Sequence, residues 1–157
     1  MTPAGASPVL FAYDGSGLAG AAIAEAGRQL RAGRAAIVLT VWEPFNVGFL
    51  PVDGAEFNAA QIDEVRKAAE QTAAQGASLA QAAGFGVTSV TAEAAPTWQG
   101  IIDAADDYGA GLIVLGSHGR SGLVGAVVGS VAAAVAAHSR RSVLIVHRHR
   151  RSALRAG

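Results

Sequence analysis

The chain has 157 residues with a formal net charge of zero, 51% apolar residues, 20 glycines and no cysteine. That length and apolar content fit one domain and exclude a disordered chain, while the lack of cysteine excludes thiol catalysis, a disulfide framework and Cys-ligated zinc. Charge is unevenly placed: all twelve acids lie at or before Asp107, leaving that part at −7, and residues 108–157 carry seven arginines and no acid.

Short β-type runs alternate with longer helical runs along the chain. The first strand is Val9 to Tyr13, and Ser16 caps the helix that follows, with Ala19, Ile23, Ala26 and Leu30 at helical spacing and Gly33 ending it. A second strand, Ala36 to Trp42, leads into a long loop over 43–58 with three Phe and two Pro. The next helix spans about 59–83 with Ile62, Val65, Ala69, Ala73 and Leu79 near one face, and Gly84 and Gly86 precede a third strand, Val87 to Ala92. Pro96 opens a helix that turns Trp98, Ile101, Ile102 and Ala105 inward. Leu112 to Leu115 has the uniform apolar character of a strand buried on both faces. A glycine-rich loop, Gly116 to Gly122, then enters a helix over about 124–138, and Ser142 to His147 is the last strand.

This βαβαβαβαβ pattern specifies a single doubly wound, five-stranded parallel sheet with helices on both faces, expected in the order 3-2-1-4-5. One domain covers 1–157, with a core over about 7–148 and a basic tail over 149–157. Arg148, Arg150, Arg151 and Arg155 read as a solvated tail rather than an anion-handling or nucleic-acid surface. The nineteen uncharged residues from Ser121 to Ser139 contain a GxxxG at Gly125 and Gly129, but their Ala, Gly and Val content suits a buried helix better than a membrane span. The N-terminus has no basic leader followed by a long apolar run, so a cytoplasmic location is expected.

Ligands of such sheets sit beyond the carboxyl ends of the strands, where strand order reverses. Two glycine loops therefore compete. Gly15-Ser16-Gly17-Leu18-Ala19-Gly20 matches the dinucleotide pattern G-x-G-x-x-G, with Glu43 ending the second strand, but Asp14 would set a carboxylate beside a pyrophosphate. The run Gly116-Ser117-His118-Gly119-Arg120-Ser121-Gly122, followed by Gly129-Ser130, suits a polyphosphate: glycines admit close approach to backbone N–H groups, a helix N-terminus follows, and the run holds no acid. It is not a P-loop, because G-x-x-x-x-G-K-[ST] is absent and the sole lysine, Lys67, lies in another helix.

The spacing Gly116-x2-Gly119-x9-Gly129-Ser130 resembles the signature of the ATP-binding branch of the universal stress protein family, and the resemblance extends over nearly the whole chain. It implies the adenine nucleotide alpha-hydrolase-like fold and a role as a nucleotide-dependent stress-response regulator that hydrolyses ATP slowly or not at all. Carried over residue by residue, Asp14 would meet the ribose hydroxyls, backbone groups at Val41 the adenine edge, and Leu115 would line the pocket. Gly116, Gly119, Gly129 and Ser130 would cradle the phosphates of ATP, carried with Mg2+, with Ser117, Arg120 and Ser121 as further contacts. Gly111 stands where the family usually has an aspartate, and Ser142 where proline is common.

Nothing resembles a dedicated hydrolytic constellation. His118 reads as a solvent-facing loop histidine rather than a general base, His147 and His149 as a strand end rather than a metal site, and His138 as a favourable charge at a helix C-terminus. A slow ATPase, or a dinucleotide module using Gly15 to Gly20, remains the alternative. The last strand is apolar on both faces with no helix after it, and such an edge tends to pair; the resemblance likewise implies a homodimer through Ser142 to His147. A regulatory protein partner is expected but not identified, and neither membrane nor nucleic acid is expected as a partner.

Overall fold

A computed structural model describes residues 6–43, 59–119 and 128–148. Nine elements alternate in chain order: β1 (Val9–Ala12), α1 (Gly17–Gln29), β2 (Ala35–Trp42), α2 (Ala59–Ala82), β3 (Gly86–Glu93), α3 (Thr97–Asp107), β4 (Leu112–Gly116), α4 (Ser130–His138) and β5 (Ser142–Val146). The strands form one parallel sheet in the order β3-β2-β1-β4-β5. This is the order expected from the sequence.

Side chains of successive strand residues point to opposite faces, so the apolar strands feed two cores. Val9, Phe11, Val38 and Val114 pack with Ala22, Ile23 and Ala26 of α1 and Ala80 of α2. Leu10, Ile37, Leu39, Ile113 and Leu115 pack on the other face with Ile101 and Ala105 of α3 and Ala132 and Val135 of α4. On the first face the ring of Phe11 meets Phe85 edge-on at 5.2 Å. β1 and β4 lie at the centre, where Val9, Leu10, Phe11, Ile113 and Val114 are buried.

The buried stripe of α2 differs from the one its large residues suggest. Ala69, Ala73, Gly76 and Ala80 face the sheet, while Ile62 and Leu79 are exposed. Close approach is the reason: a Cβ on Gly76 would lie 2.6 Å from Tyr13 Cδ1 and 2.7 Å from Val38 Cγ1, a separation that larger side chains on that stripe would prevent. At Gly111 a Cβ would lie 2.0 Å from Ser7 Oγ, so any larger residue there would displace the Ser7 side chain. Among the described residues α4 begins at Ser130, and the 124–127 part of the expected helix lies outside them. No described helix is long and apolar enough to cross a membrane.

Candidate functional site

The strand order reverses between β1 and β4, and the loops that leave these two strands meet there. The exit of β1 is anchored from β2: Tyr13 N–H donates to the Leu39 carbonyl at 2.9 Å, and the Thr40 hydroxyl donates to the Tyr13 carbonyl at 2.8 Å. The chain then turns through Gly15 at φ +85°, a conformation that glycine adopts without steric penalty. Ser16 caps α1 by accepting from Ala19 N–H at 3.2 Å, and Asp14 Oδ1 accepts from Ser16 N–H at 2.9 Å. These bonds set the Asp14 carboxylate at the carboxyl end of the sheet.

The β4 loop is fixed in the same manner. Ser117 N–H donates to the Val146 carbonyl at 2.8 Å, and the Ser117 carbonyl accepts from Gly129 N–H at 2.6 Å. The second bond closes the loop onto the start of α4. The closure requires glycine at 129, where a Cβ would lie 2.8 Å from the Ser117 carbonyl oxygen; a Cβ on Gly119 would instead lie 2.4 Å from Asp14 Oδ2, the end of a side chain that can retreat. Gly129 is the N-cap of α4, and among the described residues no side chain caps the helix or takes up its first-turn amides.

Between these loops lies a cavity of about 350 Å3. Of the residues expected at the site, Asp14, Val41, Leu115, Gly116, Gly119, Gly129 and Ser130 line it, while Arg120 and Ser121 lie outside the described residues. Its two ends differ in chemistry. Leu39 and Val41 of β2, with Ile101, make the end beside β2 apolar; Gly116, Gly119 and Ser130 bring backbone amides and a hydroxyl to the end beside β4. Asp14 is the one acid lining it among the described residues.

One sequence expectation changes here. His118 is not solvent-facing: it lines the cavity, its Nδ1 lies 3.2 Å from Ser117 Oγ, and its Nε2 is buried with no hydrogen-bond partner among the described residues. Ser117 is itself buried, with its backbone spent on holding the loop and its hydroxyl beside His118. From the competing glycine run the cavity takes Ala19, while Gly20 faces Leu79 on α2. His138 ends α4 as expected and stacks on Trp98 at 4.7 Å. No group of metal-ligating side chains occurs among the described residues, and His149 and the 44–58 part of the long loop lie outside them.

Sequence reasoning missed Thr97, which starts α3, lines the cavity and donates its hydroxyl to Glu43 Oε1 at 2.8 Å. The signal was available: Pro96 marks the helix start, and the first turn of a helix that follows a parallel strand sits at the sheet's carboxyl edge. Ile101 was read as a core residue only, yet it serves both the core and the cavity wall.

The fold is shared with solved structures. The hypothetical protein MJ0577 superposes with a TM-score of 0.76 at 24% identity, covering 92% of this chain and 97% of that one. A universal stress protein in complex with cAMP gives 0.63 at 26% identity, covering 91% and 98%. A universal stress protein from Archaeoglobus fulgidus in complex with dAMP gives 0.55 at 22% identity, covering 88% and 94%. A search of the curated proteins finds no match. Residues 6–147 match the Universal stress protein family, and with the match spanning nearly the entire chain, the chain belongs to that family.

Proposed function

We propose that this protein binds ATP at the switch point between β1 and β4 and acts as a nucleotide-dependent stress-response regulator with little or slow hydrolysis. The observation that carries the reading is the convergence of Asp14, Val41, Leu115, Gly116, Gly119, Gly129 and Ser130 on one cavity with an apolar end and an amide-rich end. The apolar end takes the adenine, whose edge meets backbone groups at Val41. Asp14 accepts from the ribose hydroxyls. The amides of Gly116 and Gly119, the Ser130 hydroxyl and the N-terminus of α4 receive the phosphates, which enter with Mg2+. Arg120 and Ser121 are assigned to the phosphates on sequence position alone. Relatives of the same fold crystallised with cAMP and with dAMP support an adenine nucleotide as the ligand class.

No lysine lies near the phosphate end: the chain's single lysine, Lys67, is on α2 and pairs with Asp63. The described residues thus bring no P-loop lysine to a leaving γ-phosphate, which favours a binding role over fast turnover. The protein assembles as a homodimer through β5, which pairs with β4 on one side and forms the sheet edge on the other; sedimentation gives its mass in solution.

Calorimetric titration of nucleotide-free protein with Mg-ATP, with cAMP and NAD in parallel, tests the reading. ATP binding that is lost in Gly129→Asp supports it, because the new carboxylate meets the phosphates and its Cβ meets the Ser117 carbonyl. NAD binding with ATP silent would transfer the site to the Gly15 loop. Tighter binding of cAMP than of ATP would favour a cyclic mononucleotide, the second reading, which rests on the cAMP-bound relative.

A further inference from the structure

We propose that the Thr97–Glu43 pair is the specificity device of the base end, selecting a 6-amino purine over a 6-oxo purine; this rests on the nucleotide reading above. Thr97 lines the cavity with Leu39, Val41 and Ile101, and its bond to Glu43, the residue after β2, sets it at the end beside β2. Its hydroxyl donates to Glu43 Oε1 at 2.8 Å, across a 54-residue separation that ties the end of β2 to the first turn of α3. A hydroxyl has one proton and two lone pairs. With the proton held by a carboxylate, Thr97 Oγ1 has only lone pairs to offer a ligand, and the bond to an ionised acceptor is stronger than a neutral one.

The consequence is a one-way filter. The exocyclic amine of adenine donates to Thr97 Oγ1. The 6-carbonyl of guanine or hypoxanthine is an acceptor and would meet lone pairs with no proton between them. A site built to accept from a ligand N–H rejects an analogue that lacks it, because its own polar group is left unpaired. Thr97 therefore acts on the base directly, and Glu43 is a positioning residue that fixes the direction of the Thr97 hydroxyl.

The test is calorimetric titration of the full chain with Mg-ATP and with Mg-ITP, which carries the 6-oxo group without the 2-amino group of guanine. The wild type should bind ATP about tenfold more tightly than ITP. Thr97→Val should narrow the ratio to within about threefold by weakening ATP, and Thr97→Ser should keep it. Glu43→Ala frees the Thr97 proton to turn toward a 6-carbonyl, so the ratio should narrow by tightening ITP, a change that simple loss of structure would not produce. Equal wild-type affinities, or a ratio unchanged in both Thr97→Val and Glu43→Ala, would overturn the proposal and leave the nucleotide reading standing. No binding of either nucleotide by the wild type would overturn both.

Discussion

Gly119→Ala should separate ligand affinity from stability. A Cβ at this position would lie 2.4 Å from Asp14 Oδ2, so the carboxylate must retreat by about 1 Å to reach an ordinary contact of 3.4 Å. That movement strains the bond from Ser16 N–H to Asp14 Oδ1, 2.9 Å in the structure. Losing such a bond costs about 0.5–1.5 kcal/mol, while replacing glycine at an unstrained backbone position stabilises by about 0.4–1 kcal/mol. The two nearly cancel, and the melting temperature should stay within about 4 °C of wild type. Affinity has no such compensation. If Asp14 accepts from the ribose, displacing it removes a charged hydrogen bond of about 1.5–3 kcal/mol, which weakens ATP by roughly tenfold to a hundredfold. Calorimetry and thermal melts on Gly119→Ala, Asp14→Ala and the double variant complete the cycle. In the Asp14→Ala background the Gly119 substitution should have almost no further effect on ATP. An unchanged penalty in that background would refute the reasoning, since the loss would then not pass through the carboxylate.

Other substitutions probe the scaffold beneath the site. Gly76→Ala gains about 1 kcal/mol of helix propensity but forces a Cβ into Tyr13 and Val38, both buried. Overpacking should win, lowering stability by about 1–2 kcal/mol and the melting temperature by about 3–6 °C; Gly17→Ala, whose Cβ meets nothing within 4 Å, is the neutral comparison. Thr40→Val removes the buried donor to the Tyr13 carbonyl and should cost about 1–3 kcal/mol in urea unfolding. A value near zero there would mean that the bond contributes nothing to the β1 exit. On α2, the hydrogen bond and charge of Lys67 hold the Asp63 carboxyl below its ordinary value of 3.8, with Arg66 adding to the effect. A depressed carboxylate contributes stability that is present above 3.8 and fades as pH falls through the lower folded value. An NMR titration should show Asp63 moving back up in Lys67→Met, and no movement would refute the pairing.

The residues lining the cavity show which parts of the site were legible beforehand. Gly116, Gly119, Gly129 and Ser130 carry a spacing that is readable without coordinates, because close backbone packing restricts those positions to small residues. Asp14 was legible as the polar residue that ends an apolar strand. Thr97 and His118 were not, for different reasons. Thr97 becomes a site residue only once β2 and the start of α3 are neighbours, and its bond to Glu43 joins segments that are remote in sequence. His118 lies in a glycine-rich loop whose composition suggests exposure, and only the closure of Ser117 onto Gly129 and Val146 buries its Nε2.

The sequence by itself determined the order and kind of the elements, since apolar runs of period two and longer helical runs alternate with turn residues between them. From that alternation came a parallel sheet with helical crossovers, expected in the doubly wound order 3-2-1-4-5. Tertiary structure decided which faces the helices present. On α2 the large residues Ile62 and Leu79 yield the buried stripe to Ala69, Ala73, Gly76 and Ala80. Periodicity records which residues share a face, but the distance between a helix and its sheet depends on both surfaces at once. Only when the Tyr13 ring and the Val38 methyl occupy that space does a glycine on the helix become the residue that fits.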